Sequence, residues 1–244
     1  MKAIILAAGY ATRLYPLTKN MPKPLLTLNG KPIIDYIVEQ IEEVKEVNEI
    51  IVISNHRFIE NFKAWAENKK SKHPITVIDD GTTTEETRLG AIGDISFVIE
   101  KCGISEELMI IAGDNFYTFD IKDFYNFYKD QGRDCVIAKE IEDQEALKSF
   151  AVAKIDRNNK ILELVEKPEK PESNIAIFAA YIYTKESVSR VEQYLKQGNK
   201  PDAPGFFVQW LYKEVDVMAY PVKGECYDIG TKEALDYVDN MLKN

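Results

Sequence analysis

Short apolar runs alternate with helix-like segments over the first 135 residues of this chain. Runs with strand character cover residues 3–6, 49–54, 75–78 and 108–112, and apolar side chains recur at helical spacing in residues 33–44, 58–65, 89–99 and 121–128. Parallel strands need a long crossover connection, and this alternation supplies a helix for each crossover. The pattern therefore predicts an α/β fold with a largely parallel sheet that helices cover on both faces.

The pattern changes after Cys135. Strand-like runs at residues 150–155, 161–165 and 176–183 are followed by helical stretches at 185–195 and 206–212, a strand at 215–220 and a short helix at 232–242. The sequence contains no linker, internal repeat or low-complexity tract. We therefore expect a single domain over residues 1–244, in which residues 136–244 elaborate a site built on residues 1–135.

Charge and composition exclude several classes of protein. A net charge of -9 at pH 7 and a sequence pI of about 5.0 argue against general nucleic-acid binding. No apolar run reaches membrane-spanning length, and no signal-peptide pattern follows Met1. Cys102, Cys135 and Cys226 are far apart in the chain, as is usual for free thiols in a reducing cytoplasm. We expect a cytoplasmic protein without nucleic-acid or membrane partners, and a homo-oligomer stays open.

The amino-terminal segment is cationic. Before residue 35 it contains five basic residues and no Asp or Glu. Backbone N–H groups freed by small residues, together with fixed cations, are a usual way to hold a polyphosphate. The alternative is an ordinary strand-to-helix turn with an exposed arginine, but the Thr-Arg pair and the Pro-Lys-Pro motif at this spacing favour phosphate binding. The candidates are Leu6, Ala7, Ala8, Gly9, Ala11, Thr12 and Arg13, with Lys23.

Aspartates follow two later apolar runs. Ligands of open α/β sheets bind beyond the carboxyl ends of the strands. Asp114, in Gly113-Asp114-Asn115, directly follows the run at 108–112 and is either part of an ordinary turn or a ligand of Mg²⁺ between substrate phosphates. Asp228 is a second carboxylate of this kind, which favours the metal interpretation.

Glu166 and Lys167 end the run at residues 161–165 and precede Pro168. They are either a surface charge pair or a site where the lysine binds a phosphate and the glutamate accepts hydrogen bonds from hydroxyl groups. We expect an extended backbone at Lys167, because a following proline disfavours the helical conformation.

A polar loop at residues 80–90 precedes the third helical segment. It is either a flexible turn or, from its place beyond a strand, a lid or a base-reading loop. Asp80 and Gly81 begin this loop and Gly90 ends it.

Several motifs together resemble a known family. Gly9-Tyr10-Ala11-Thr12-Arg13, Pro16-Leu17-Thr18 and Pro22-Lys23-Pro24-Leu25 resemble the signature of the sugar-1-phosphate nucleotidyltransferases, and above all the glucose-1-phosphate thymidylyltransferase and uridylyltransferase group. Further matches follow in order along the chain: Leu89-Gly90, Gly113-Asp114, Glu166-Lys167-Pro168, Ser173-Asn174 and Asp228-Ile229-Gly230-Thr231.

The resemblance implies a Rossmann-like, three-layer fold with a mixed, mostly parallel central sheet. It also implies the Mg²⁺-dependent condensation of a nucleoside triphosphate with a sugar 1-phosphate to a nucleotide-sugar and pyrophosphate. UTP or dTTP and glucose 1-phosphate are the favoured substrates. Residues 1–135 would be the nucleotide-binding half and residues 136–244 the sugar-binding half.

Roles for single residues follow from the same motif match. Arg13, Lys23 and Lys167 would be the catalytic cations, and Asp114 and Asp228 would hold the metal. The nucleotide would contact Leu6, Ala7, Ala8, Gly9, Ala11, Thr12, Arg13, Asp80, Gly81 and Gly90, and the acceptor would contact Asn115, Glu166, Lys167 and Asn174.

Three departures from the family pattern leave the base and the sugar open. Ala11 and Ala151 stand where glycine is common, and the loop at 79–90 is not the usual base loop. An alternative is a cytidylyltransferase for a non-sugar phosphate such as phosphocholine, whose quaternary ammonium an aromatic cage would bind. The candidates for that cage are Tyr117, Phe206, Phe207 and Trp210.

Two other classes of protein are less favoured. A non-catalytic, nucleotide-sugar-binding regulatory subunit would have no need to retain both aspartates and all three cations. A dinucleotide-binding oxidoreductase is disfavoured because no Gly-x-Gly-x-x-Gly follows the first strand.

Overall fold

The computed structural model describes residues 1–243 and divides into two compact units. The first unit consists of residues 1–89, 111–122 and 224–243, and the second consists of residues 90–110 and 123–223. The prediction of one domain over residues 1–244 stays a prediction.

Strands and helices alternate over much of the described chain. The strands are β1 (Lys2–Leu6), β2 (Thr27–Leu28), β3 (Lys31–Pro32), β4 (Glu49–Ser54), β5 (Ile75–Asp79), β6 (Leu108–Ala112), β7 (Asn115–Tyr117), β8 (Asp134–Glu140), β9 (Ala151–Ile155), β10 (Ile161–Glu166), β11 (Ile175–Tyr183), β12 (Val217–Pro221) and β13 (Cys226–Asp228). The helices are α1 (Ile33–Ile41), α2 (Ile59–Asn68), α3 (Ala91–Cys102), α4 (Ile121–Gln131), α5 (Gln144–Leu147), α6 (Lys185–Lys196), α7 (Pro204–Leu211) and α8 (Lys232–Met241).

The first unit is built on parallel strands. β1 pairs with β4, with Leu6 opposite Ile53, and β4 pairs with β5, with Ile53 opposite Ile78. Ile4, Ile5 and Ile53 are fully buried. Strands buried on both faces consist of nearly continuous apolar residues, which is the pattern of these runs.

Two three-residue strands complete the first unit. β7 and β13 pair antiparallel, and Asp228 lies opposite Asn115. Neighbouring side chains fix this pair, because Phe116 and Ile229 belong to a buried cluster that also contains Val238 of α8. The sequence patterns did not predict these strands, since three residues are too few to show an alternation.

The second unit carries antiparallel strands. β9 lies between β10 and β11, β11 also pairs with β8, and β12 runs parallel to β8. β8 was not predicted as a strand. Its first residue, Asp134, is 2% exposed and accepts hydrogen bonds from Ser187 Oγ and the Thr184 N–H at the start of α6. The buried carboxylate thus fixes α6 against this strand.

The predicted fold class is confirmed: the protein is α/β, and its sheet is mixed, with parallel pairs in both units. None of the helices in residues 1–243 has the length and apolar character needed to cross a membrane.

Candidate functional site

The loop after β1 is held by hydrogen bonds to β4 and to Asn55, which directly follows β4. Ala7 N–H donates to the Ile53 carbonyl over 2.9 Å, and the buried Asn55 side-chain amide donates to the Ala8 carbonyl over 2.9 Å. The N–H groups of Ala8, Gly9 and Thr12 bond to no acceptor within residues 1–243. These donors are therefore available to an anion, in agreement with the phosphate-binding loop that the amino-terminal motif predicts.

Ala11 occupies the left-handed backbone region, with φ 46° and ψ 43°. Its carbonyl accepts bonds from the Leu14 N–H and from the buried Thr18 hydroxyl, which hold it in place. An L-residue in this region costs about 1–2 kcal/mol, which gives a physical reason for the glycine expected here from the family pattern. Thr12 and Arg13 follow directly, and Arg13 is exposed and makes no ion pair within residues 1–243.

We expect Ala11→Gly to retain the free energy of unfolding or to raise it by up to about 1 kcal/mol, since relief of the left-handed conformation outweighs the added chain entropy. Ala11→Val should lower it by about 1–2 kcal/mol, because a β-branched residue fits this region poorly. Urea denaturation measures both. Ala203→Val is the control, because Ala203 has φ -101°. If Ala11→Val and Ala203→Val lowered the free energy of unfolding equally, the left-handed conformation of Ala11 would not be the cause.

The loop after β5 is tied to the amino-terminal loop through Tyr10. The Tyr10 hydroxyl lies 3.3 Å from Thr82 Oγ1, and Thr82 Oγ1 donates to Asp80 Oδ2 over 3.0 Å. Asp80 Oδ1 accepts from the Thr82 N–H. Asp80, proposed from sequence as a nucleotide contact, thus uses both oxygens within its own loop, whereas Gly81 is exposed, with φ 78°.

Lys23 lies between the two predicted metal ligands. Its Nζ is 2.8 Å from Asp114 Oδ2 and 2.9 Å from Asp228 Oδ1, and the residue is 6% exposed. Burial alone would lower the pKa of Lys23, but the two carboxylates outweigh it and raise the pKa above its ordinary value. The ammonium group is therefore a permanent cation at neutral pH.

Each aspartate is placed by a different element of the first unit. Asp114 occupies the turn between β6 and β7, and its neighbour Gly113 has no room for a side chain, since a Cβ there would lie 2.8 Å from the Leu6 carbonyl. Asp228 ends β13, beside the buried Ile229. The pairing of β7 with β13 brings the two carboxylates to one ammonium group.

The two carboxylates fit a loosely held divalent cation. They already share one cation, and their side chains are 39% and 55% exposed, so water and phosphate oxygens can complete a coordination shell. No group of three or more His, Cys, Asp or Glu side chains within residues 1–243 is arranged to hold a metal. Asp114 and Asp228 therefore have the chemistry to hold Mg²⁺ whose remaining ligands are water or phosphate oxygens, and not to form an all-protein cage.

Asn115 differs from its neighbour Asp114. It is 8% exposed, and its side-chain amide lies 3.4 Å from the Tyr117 hydroxyl, to which it can donate. Asn115, which is predicted to contact the sugar phosphate, therefore has a hydrogen-bond partner within β7.

Three of the residues predicted to contact the sugar 1-phosphate, Glu166, Lys167 and Asn174, belong to the second unit. Burial raises the pKa of the Glu166 carboxyl, and the neighbouring Lys167 offsets this only in part. Asn174 is exposed, and its carbonyl accepts from the Ile141 N–H. Lys167 has φ 49°, so the expectation of an extended backbone there was wrong: a bond from its N–H to the Phe150 carbonyl holds the residue in the left-handed region.

Gly90 has a packing role inside the second unit. With φ 80°, it lies so close to the 201–202 segment that a Cβ would be 2.6 Å from the Pro201 carbonyl oxygen. The next N–H groups, of Ala91 and Ile92, donate to the carbonyls of Asp202 and Pro201. Glycine is therefore required at this position by both conformation and space.

Sequence reasoning missed the residues that support the candidate site. Tyr10 and Thr18 lie inside the matched motifs without a role of their own, and Asn55, which directly follows the strand-like run at residues 49–54, was assigned no role. Buried polar side chains need partners, so the polar residue directly after an apolar run was the available signal for Asn55. Gln209, whose side-chain oxygen accepts from the Glu166 N–H, and Gly205, which faces the Glu166 carboxylate, gave no signal in the sequence.

Comparisons with known proteins agree with the predicted resemblance. Residues 2–243 match the family model described as nucleotidyl transferase. The chain is 29% identical over 255 residues to the bifunctional protein GlmU of Methanocaldococcus jannaschii, with 100% of this chain and 56% of that protein covered. It is 28% identical over 243 residues to the glucose-1-phosphate adenylyltransferase of Fervidobacterium nodosum, with 93% and 58% covered. The chain thus spans a little more than half the length of these curated relatives.

A solved structure of a UDP-glucose pyrophosphorylase complexed with UDP-glucose superimposes with a TM-score of 0.84 at 21% identity, covering 99% of this chain and 98% of that one. This likeness confirms the predicted Rossmann-like nucleotidyltransferase fold. The family match, which extends over nearly the whole chain, confirms the resemblance itself: the protein belongs to the nucleotidyl transferase family, among relatives that include sugar-1-phosphate enzymes.

Proposed function

We propose that this protein is a nucleotide-sugar pyrophosphorylase. It would condense a nucleoside triphosphate, with UTP or dTTP favoured, with a sugar 1-phosphate, with glucose 1-phosphate favoured, and release pyrophosphate. The observation that carries the proposal is the buried Lys23 ammonium between Asp114 and Asp228, in a chain of this family. The proposal keeps the expectation of a cytoplasmic enzyme without nucleic-acid or membrane partners.

The reaction needs charge neutralisation more than proton transfer. An oxygen of the sugar phosphate attacks the α-phosphorus, the bond from that phosphorus to the bridging oxygen breaks, and pyrophosphate leaves. The second pKa of a phosphate monoester is about 6, so the nucleophile is already ionised at neutral pH and no general base is required. The protein's task is in-line alignment and stabilisation of negative charge.

The cations of the chain can supply that stabilisation. Lys23 stays protonated because of its two carboxylates, and Arg13 is exposed with no ion pair within residues 1–243. The free N–H groups after β1 would orient the triphosphate. Mg²⁺, when bound by Asp114 and Asp228, would polarise phosphoryl oxygens and neutralise charge on the pyrophosphate.

The acceptor would be bound through the second unit. Lys167, with no ion pair within residues 1–243, would contact the sugar phosphate, and the Glu166 carboxylate would accept hydrogen bonds from sugar hydroxyls. Asn174 would add a polar contact. Asn115, from the first unit, stays a proposed contact as well.

The choice of base is the most open part of the proposal. Gly81 and Gly90 would lie near the base, and Asp80 would support the loop through Thr82. The named relatives include an adenylyltransferase, so the family does not restrict the base to pyrimidines.

Phosphocholine cytidylyl transfer is less favoured by the packing. Of the four rings that would build a cage, Tyr117 and Phe207 are buried in the core. The Lys200 ammonium lies 5.0 Å from the centre of the Phe206 ring, and the Trp210 indole N–H donates to Gln197. Each ring already has a partner within the protein.

A substrate matrix tests the proposal. Five triphosphates (UTP, dTTP, CTP, GTP and ATP) are each combined with a panel of sugar 1-phosphates and with phosphocholine, and pyrophosphate release is measured with Mg²⁺. We expect the highest kcat/KM for UTP or dTTP with glucose 1-phosphate. Turnover only of CTP with phosphocholine would establish the alternative, and tight nucleotide-sugar binding with no turnover of any pair would indicate a regulatory subunit.

A further inference from the structure

Helix α7 touches the predicted sugar-binding glutamate at two points. The Gln209 side-chain oxygen accepts from the Glu166 N–H over 2.8 Å. One helical turn earlier, Gly205 faces the Glu166 carboxylate itself. Both contacts lie inside the second unit, where α7 packs against β10.

A side chain at Gly205 would displace the Glu166 carboxylate, whereas the backbone conformation at this position would accept one. Its φ is not in the left-handed region, so an alanine would suit the helix and would gain about 0.5–1 kcal/mol in propensity. A Cβ at Gly205, however, would overlap Glu166 Oε2 and would lie 2.9 Å from Glu166 Cδ. The Glu166 carboxylate therefore occupies the space that a side chain at position 205 would fill.

A second small residue, Ala151, borders the same space. Ala151 on β9 pairs with Glu166 on β10, and the Ala151 Cβ lies 3.0 Å from the position of a Gly205 Cβ. No donor within residues 1–243 bonds to the Glu166 carboxylate. A mostly buried carboxylate without a donor is costly unless a ligand supplies one.

We propose that Gly205 and Gln209 are positioning residues for Glu166, and that they fix its carboxylate to accept hydrogen bonds from a polyhydroxylated acceptor. The inference rests on the proposed function, because it assumes that Glu166 binds the acceptor. The Gln209 side chain holds the backbone of Glu166 through a hydrogen bond. The absence of a side chain at Gly205 leaves space for the Glu166 carboxylate. Fixing the carboxylate before binding saves the entropy of ordering its side chain.

Kinetics of Gly205→Ala test the spatial part. The added methyl group should push the carboxylate aside and raise KM for the sugar 1-phosphate about 10-fold or more, while KM for the triphosphate changes less than about 2-fold. Unchanged KM values in a folded Gly205→Ala protein would overturn the proposal.

Rescue by a shorter carboxylate separates positioning from general damage. Glu166→Asp withdraws the carboxylate by one carbon–carbon bond, about 1.5 Å. In Gly205→Ala/Glu166→Asp the methyl group then has room, so kcat/KM should be several-fold above the value expected from multiplying the two single effects. Strictly multiplicative losses would contradict the steric account. If Gly205→Ala does not fold, recovery of folding by the double variant supports the proposal and its absence counts against it.

Gln209→Met tests the backbone part independently. It keeps the length of the side chain but removes the acceptor, and it should raise KM for the sugar 1-phosphate about 3- to 10-fold. Gln193→Met, an exposed glutamine on α6, is the matched control and should leave KM unchanged. Equal KM values for both variants would overturn the role of Gln209. A wild-type protein that turns over no sugar 1-phosphate would instead refute the proposed function on which the inference depends.

Discussion

Replacing Lys23 with methionine is expected to lower kcat/KM by about 10²–10⁴, the range for loss of one group that stabilises transition-state charge. Methionine keeps most of the length and the apolar stem of the lysine, so the change removes mainly the charge. The free energy of unfolding should fall little, because Asp114 and Asp228 reach water and can be solvated without the ammonium group.

The same variant should bind a divalent cation more tightly when no nucleotide is present. In the wild-type protein the Lys23 ammonium lies between the two carboxylates and repels a second cation from them. Removing one charge about 4 Å from a divalent ion is worth about 10-fold or more in affinity. Titration with Mn²⁺ as an electron-paramagnetic probe measures this binding without any turnover.

Lys19→Met is the matched control for both measurements. Lys19 belongs to the same acid-free segment, but it is exposed and makes no ion pair within residues 1–243. It should retain activity and Mn²⁺ affinity within about 2-fold, because exposed charges are screened by water and salt. If Lys23→Met and Lys19→Met behaved alike, the position of Lys23 between the carboxylates would have no functional weight.

Local patterns predicted the strands and helices well where they were long and apolar. The expected strands at residues 49–54 and 108–112 coincide with β4 and β6. β7 and β13 were not predicted, because their pairing depends on a buried cluster around Phe116 and Ile229 that forms only in the folded chain. The pairing of these two strands brings Asp228 close to Asp114. The geometry of the carboxylate pair therefore could not be predicted from the spacing of the two residues in the sequence.

The motifs identified the candidate residues, but they did not predict which contacts those residues make. The match to the family indicated Lys23 as a phosphate ligand, but no pattern indicated that both carboxylates would bind its ammonium group. Asp80 stays a predicted nucleotide contact, but no pattern indicated that its oxygens would also accept from Thr82. The backbone of Lys167 follows from a bond to the Phe150 carbonyl, which a rule based on the next residue cannot foresee.

Asp114→Asn and Asp228→Asn are each expected to lower kcat by about 10²–10⁴ while leaving the circular dichroism spectrum unchanged. The two carboxylates accept from one ammonium group and are close enough to share one metal ion. Mg²⁺ dehydrates reluctantly, so a single carboxylate should hold it weakly, and loss of either one should remove most of the binding. Raising Mg²⁺ should restore part of the activity of each single variant.

The double variant distinguishes one shared ion from two independent roles. Residues that act as a unit are strongly non-additive, so Asp114→Asn/Asp228→Asn should be little worse than either single change. The measurement is kcat across a Mg²⁺ titration for wild type, both singles and the double. Asp236→Asn is the control, since Asp236 is a carboxylate of α8 that pairs only with Lys232 within residues 1–243. Losses that multiply, or full activity of Asp228→Asn at ordinary Mg²⁺, would show that the carboxylates do not serve one ion, and the Lys23 bridge would then be a structural contact alone.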